Sequence, residues 1–248
     1  MTTVDLTPVP ARAVAVGAHP DDVEFGCGGT LAKWAAAGCA ITHVVCTDGS
    51  KGSWDPTADV KELVAIRQEE QKAASRALGG SGEVVFLGAE DGRLEPGLAM
   101  QDKLALWLRR LRPEVVLGHD PWKRYRLHPD HRAAGFLLTD ALVAARDPHF
   151  FPEHFVGDPD LTPHRPRTLL LWEADEPDHV EDISTSFESK LRALLCHRSQ
   201  LLTTMDIEDP ANREQRQAFA VRTEERAGEH GALAGIALGE SFKRIDRL

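Results

Sequence analysis

Short apolar runs recur along this chain, and a segment with helical periodicity follows most of them. Ala13-Val14-Ala15-Val16, ending at Gly17, reads as a buried strand. Ile41–Cys46, Val84-Val85-Phe86-Leu87, Val115-Val116-Leu117 and Thr168–Trp172 repeat the pattern. Between them, Thr30–Ala37 reads as a helix stopped by Gly38, and Val60–Leu78 as a long helix ended by Gly79-Gly80. Met100–Leu111 is a helix that stops before Pro113, and Pro129–Arg146 one that tolerates proline in its first turn. Ser186–His197 is a further helix. Strands that are apolar throughout are covered on both faces, so the pattern predicts a parallel sheet between two helical layers. The expected fold is α/β, Rossmann-like and doubly wound, with a mostly parallel sheet.

Beyond Asp147 the periodicity loosens. Residues 148–166 are rich in proline and phenylalanine and read as an irregular loop, a candidate rim for a cleft. Residues 210–229 are highly charged and read as a solvated surface helix, within a helical extension over 210–248. No repeat divides the sequence, and its 248 residues suit one domain. Hydrophobic residues at 42% and charged residues at 27% are ordinary for a globular chain. The net charge of −10 argues against a general affinity for nucleic acid or anionic membranes. No apolar run reaches the roughly 20 residues of a membrane span. The first residues lack the basic and apolar regions of a secretory signal, so the expectation is a cytoplasmic protein, with homo-oligomerisation left open. The four cysteines form no C-x-x-C pair, which excludes a cysteine knuckle for zinc and favours reduced thiols.

The chemistry concentrates in two loops. The first strand runs into Ala18-His19-Pro20-Asp21-Asp22, where the carboxyl end of a strand opens onto the ligand-binding side of such sheets. A turn stiffened by Pro20 can place His19 and Asp22 on one side, as an imidazole and a carboxylate suited to zinc. Asp21 then faces a water rather than the metal. After the fourth strand comes His128-Pro129-Asp130-His131. His128 and His131 lie about one turn apart, and either can complete a His-Asp-His set. Three protein ligands leave a position open for water, as catalytic zinc sites do. Asp130 can accept an N–H from a histidine and fix its tautomer. Rival motifs are missing: Gly26-Cys27-Gly28-Gly29 fails G-x-G-x-x-G because position 31 is Leu31, and neither a P-loop nor G-x-S-x-G occurs. The glycines fit close packing beside the metal loop instead. A two-metal phosphoesterase would need more ligands than one such set. His119 and His197 are candidates for lining the pocket, His43 reads as packing, and Trp54 and Trp122 sit in loops where aromatics either stack on sugars or simply pack.

Ala18-His19-Pro20-Asp21-Asp22-x-Glu24-x-Gly26-x-Gly28-Gly29, paired with His128–His131, resembles the PIG-L/LmbE family of zinc-dependent N-deacetylases. Thr47-Asp48-Gly49, Arg67-Gln68-Glu69-Glu70, Asp91-Gly92, Lys190 and His197–Gln200 extend the likeness over about residues 13–200. The resemblance implies hydrolysis of an N-acetyl group from an N-acetylglucosamine-type sugar or glycoconjugate, a small-molecule substrate. It implies one Zn2+ per chain, with Fe2+ and Co2+ tolerated by the same ligands. By position, His19, Asp22 and His131 match the metal ligands, and Asp21 the general base. His128 matches the group that stabilises the oxyanion or protonates the amine, and Asp130 the orienting carboxylate. Arg67 and Asp91 match sugar contacts. Tyr125 is the single tyrosine available for the oxyanion-assisting place that some members fill. The alternatives are an amidase of a glucosaminyl thiol conjugate of the mycothiol type, a deacetylase of a secondary metabolite, and, more remotely, a non-catalytic metal-holding sugar-binding protein.

Overall fold

Strand and helix alternate as the apolar pattern requires in a computed structural model describing residues 2–158 and 160–248. The elements are β1 (Thr3–Val4), β2 (Arg12–Gly17), α1 (Asp22–Ala36), β3 (Ala40–Thr47), α2 (Val60–Ala77), β4 (Val84–Ala89), α3 (Leu98–Leu111) and β5 (Val115–His119). There follow α4 (Pro129–Arg146), α5 (Glu153–Gly157), β6 (Thr168–Trp172), β7 (His179–Asp182), α6 (Phe187–Leu194), α7 (Arg213–Ala232) and β8 (Gly239–Asp246).

The strands form one sheet in the order β1-β7-β8-β6-β5-β2-β3-β4. Among the described residues only β8 runs antiparallel to its neighbours, β6 and β7. Successive side chains of each strand enter opposite layers. Val14, Val16, Val44 and Val116 pack with Leu104 and Leu108 of α3 and Leu137 and Leu138 of α4. Ala13, Ala15, Ile41 and Val115 pack with Leu31 and Trp34 of α1 and Ala74 of α2. Helices therefore cover both faces, and the doubly wound expectation holds. From β2 the sheet grows through β3 and β4 on one side and through β5 and β6 on the other. The crevice between β2 and β5 is the switch point, where open α/β sheets bind ligands.

Three expectations change. Helix α1 starts at Asp22 rather than Thr30, and is kinked at Cys27, whose φ of −150° is not helical. The second half is capped from afar: Glu240 accepts the N–H of Gly29 at 2.9 Å and of Thr30 at 2.7 Å. Gly26 is required by close approach, since a Cβ there would lie 2.5 Å from the Trp172 ring. Secondly, the helical extension expected over 210–248 ends at Ala232, and Gly239–Asp246 becomes a strand inserted between β6 and β7. Its charges hid it, as those of β7 hid that strand, because their partners lie elsewhere in the chain: Glu240 pairs with Lys190 at 2.6 Å and Glu181 with Lys33 at 2.6 Å. Thirdly, the described residues of 148–166 do not line the cleft. Buried Arg109 ties that loop to the C-terminal end of α4, donating to the carbonyls of Ala144, Asp147 and Phe150 at 2.8–2.9 Å. Residue 159 of the loop lies outside the described residues.

Candidate active site

The loop after β2 and the start of α4 meet above the switch point. Thr47 pins the first, donating from its backbone N–H and Oγ1 to the Ala18 carbonyl at 2.8 and 2.9 Å. The second is a helix start with Pro129 in its first turn and the His128 ring as N-cap, Nδ1 accepting the Asp130 N–H at 3.3 Å. That bond leaves Nε2 to carry the proton of the neutral His128 ring. Asp130 is fully buried and joins the two motifs. One of its oxygens accepts the Leu94 N–H at 3.1 Å, and the other accepts from Gly92 N–H at 2.6 Å and from His19 Nε2 at 3.0 Å. With Nε2 so engaged, His19 turns Nδ1 towards Asp22, 3.4 Å from its Oδ2.

These donors fit a metal ion. His131 Nε2 lies 3.2 Å from the other Asp22 oxygen, and the His19 and His131 rings are 5.2 Å apart. Each imidazole nitrogen thus faces its own oxygen of Asp22, at distances close to the roughly 3.3 Å that separates neighbouring ligand atoms on a tetrahedral ion. Among the described residues, the triads whose ligating atoms all lie within 4.8 Å of one another are His19–His128–His131, Asp22–His119–His131 and His19–Asp91–Asp130, so the expected His19–Asp22–His131 set is shared between overlapping groups rather than being one of them. One contact runs against the fit: Arg126 Nη1 approaches His131 Nδ1 at 3.2 Å, the nitrogen that carries the proton when Nε2 ligates. The same Nη1 also donates to Glu173 at 2.5 Å. Asp22 is braced by His119, whose Nε2 lies 3.2 Å from Asp22 Oδ2. Trp172 donates its indole N–H to His119 Nδ1 at 3.0 Å, which favours a proton on Nε2 facing Asp22, although the Ala18 N–H also approaches that nitrogen, at 3.4 Å.

Asp21 stands beside this cluster with φ +101°, and its N–H goes to Gln71 Oε1 at 2.9 Å. Burial pushes its carboxyl up to about 6 against the pull of Arg67, whose guanidinium is 3.5 Å away, and Asp22 adds to the rise. A carboxyl poised there can take and return a proton near neutrality. Burial also acts on His128, which with the neighbouring His19 and His131 is held below the ordinary imidazole value. Asp22 goes the other way: burial opposes its charge, but His131 and His119 outweigh it and hold the carboxyl well below its usual range.

The cleft over the site has a volume of about 650 Å³, and His19, Asp21, Asp22, His128 and His131 all line it. Arg67 and Asp91 do so too, Arg67 donating to the Gly49 carbonyl at 2.9 Å and Asp91 accepting the Lys51 N–H at 3.1 Å. Tyr125 is not brought in. It is 92% exposed and absent from the lining, because the chain turns outward there with φ +57°. Trp54 lines the cleft and Trp122 does not. His119 reaches the cleft, whereas His197 is wholly buried against Glu24 at 3.2 Å. His43 is not simple packing, since Gln71 Nε2 meets its Nδ1 at 3.0 Å. Gln200, Thr203, Thr204 and Arg226 of α7 form the rim, in place of the 148–166 loop. Sequence reasoning passed over Gln71 and Trp172. The helical period gives Gln71 away, because it shares the buried face of α2 with Leu63, Arg67 and Ala74.

Fold and site together define a doubly wound α/β protein with a histidine–carboxylate centre at its switch point. The profile of the PIG-L family, described as GlcNAc-PI de-N-acetylase, matches residues 14–142, from β2 into α4, and the chain belongs to that family. Diacetylchitobiose deacetylase of Thermococcus kodakarensis is 34% identical over 189 residues, 76% of this chain and 70% of that one. The 1D-myo-inositol 2-acetamido-2-deoxy-alpha-D-glucopyranoside deacetylase of Actinosynnema mirum is 30% identical, over 79% of this chain and 83% of its own. In three dimensions, N,N'-diacetylchitobiose deacetylase from Pyrococcus horikoshii, in complex with its inhibitor MPG, matches with a TM-score of 0.85 and 28% identity, over 98% of this chain and 87% of that one. The chain is an amide hydrolase of the deacetylase class.

Proposed function

We propose that the protein removes the acetyl group from an N-acetylglucosamine-type glycoconjugate, releasing acetate and a free amine, with zinc held by His19, Asp22 and His131. One observation carries the reading: imidazole nitrogens of His19 and His131 each approach one of the two Asp22 oxygens, at 3.4 and 3.2 Å, beside a second, buried carboxyl, in one cleft at the switch point. Zinc in that position supplies Lewis acidity towards water and towards an amide carbonyl. Asp21 takes the proton from the attacking water and returns it to the departing nitrogen. His128 offers Nε2–H to the oxygen on which negative charge develops. Asp130 keeps His19 in the tautomer that leaves Nδ1 free. Arg67 and Asp91 offer a donor and an acceptor to sugar hydroxyls in the cleft wall. A cleft of this size suits a small glycoconjugate.

The test is free-amine release from a panel of N-acetylglucosamine, N,N'-diacetylchitobiose, and the inositol and malate glycosides of N-acetylglucosamine, with metal content measured alongside. Metal-dependent release that is lost in Asp21→Asn establishes the reaction, and the responding substrate names its class. Metal retention with no release from any N-acetylated sugar rejects the sugar substrate and moves the reading to an amide of a thiol conjugate.

A further inference from the structure

The peptide bond that enters Asp21 is gripped on both edges by one helix. Arg67 Nη2 donates to the Pro20 carbonyl at 2.6 Å, and Gln71 Oε1 accepts the Asp21 N–H at 2.9 Å. Those two groups belong to the same peptide unit, and Arg67 and Gln71 stand four residues apart on the buried face of α2. Residues so spaced lie about 6 Å apart along a helix, which lets them reach the two sides of one peptide plane. The grip is needed because Asp21 has φ +101°, a conformation that is strained for a non-glycine residue and persists only where its surroundings enforce it.

The sense of the Gln71 amide is itself fixed. An amide can present either its oxygen or its NH2, and only the oxygen can accept the Asp21 N–H. Gln71 Nε2 donates to Glu24 Oε1 at 2.7 Å, and a carboxylate tolerates only the NH2 end. Glu24 is in turn held by His197 Nε2 at 3.2 Å on its other oxygen. Gln71, Glu24 and His197 are all wholly or almost wholly buried, so no water substitutes for these partners without rearrangement. None of the three lines the cleft.

We propose that Gln71 is a positioning residue for the reaction: with Arg67 it clamps the Pro20–Asp21 peptide and so aims the Asp21 carboxyl, while Glu24, backed by His197, and His43 Nδ1 hold the amide in the only sense that does this. The inference rests on Asp21 being the base. Gln71→Met removes the acceptor at nearly constant volume. Glu24→Gln keeps the shape but can turn either end of its amide to Gln71, so the lock is loosened to the hold of His43 Nδ1, 3.0 Å from Gln71 Nε2, and the Gln71 amide can turn over in part. Gln71→Met lowers kcat by about tenfold or more and Glu24→Gln by about threefold or more, with KM and metal content unchanged, because misplacement of a reacting group falls on turnover. In an Asp21→Asn background Gln71→Met costs nothing further, since a residue that acts through Asp21 has nothing left to aim. Should Gln71→Met fail to fold, the isosteric Glu24→Gln, with and without Asp21→Asn, reads the same lock. Both variants turning over within about twofold of the wild type while Asp21→Asn is inactive overturns the proposal and leaves the base in place. Losses that multiply in the Asp21→Asn background overturn it as well, by showing a general structural role. Full turnover in Asp21→Asn alone removes the base reading, and this one with it.

Discussion

Adjacent residues Asp21 and Asp22 are set to different work by a few ångströms of surroundings. Asp22 faces His19, His119 and His131 and is held ionised, whereas Asp21 faces the cleft with one guanidinium nearby and is pushed up to about 6. In the proposed reaction, ligation by Asp22 and proton transfer by Asp21 are therefore separable. Asp21→Asn is expected to keep full metal occupancy and to lose turnover by about two orders of magnitude or more, the usual scale for a general base. Elemental analysis beside an amine-release assay checks both halves. Asp130 makes the complementary case, because it touches His19 and not the cleft. Asp130→Ala should weaken metal affinity by about 10–100-fold through loss of the His19 tautomer, measured by competition with a chromophoric chelator. The clustering of these residues was legible in the sequence, since His-Pro-Asp-Asp and His-Pro-Asp-His are short motifs whose spacing is local. Tyr125 was not, because side-chain direction in an irregular loop depends on a backbone turn that no periodicity records.

At the scale of elements, the helices near the site are held by charges that arrive from distant parts of the chain. Glu240 of β8 caps the second half of α1 and pairs with buried Lys190 of α6. Glu240→Ala strands that ammonium and two N–H groups, and should cost about 3–5 kcal/mol in urea unfolding. Glu181 of β7 plays a similar part for the N-terminal segment, accepting from Leu6 N–H at 2.8 Å, from Trp34 Nε1 at 3.2 Å and from His179 and Lys33. Burial works against its charge, but these partners prevail and hold its carboxyl below the ordinary value. A carboxyl depressed in the folded state binds its proton more readily in the unfolded chain. Its stabilisation is thus complete above the unfolded value of about 4.3 and drains away as pH falls below that. Glu181→Gln should flatten the acid side of the stability profile, compared by urea midpoints at about pH 6 and about pH 3.5. Wild type and variant falling in parallel over that interval would contradict the assignment. Neither β7 nor β8 was read from the sequence, because charged residues in a buried strand look like a loop until their partners are known.

Over the whole molecule, the proposed metal sits between the loop after β2 and the start of α4, two segments more than a hundred positions apart. An ion bound only by the folded chain stabilises it, so chelation should lower the melting temperature as well as abolish amine release, and added zinc should restore both. A melting temperature indifferent to chelator, in protein shown to have lost its metal, would place the ion away from this junction. The sequence by itself determined the alternation of buried strands and helices, and with it the α/β class, because each follows from the period of apolar residues. It also determined which residues could ligate, since residue type and short spacing are enough for that. The order of strands was decided only in three dimensions. It takes the β2–β5 pairing, with Ala13 beside Val115 and Val16 beside Gly118, to bring His19 to His131 and open a crevice between them. The tertiary structure likewise chose the rim of the cleft, the strands β7 and β8, and the clamp on Asp21. The physical reason is common to all: a buried charge or a strained peptide is stable only beside its partners, and those partners are neighbours in space rather than in sequence.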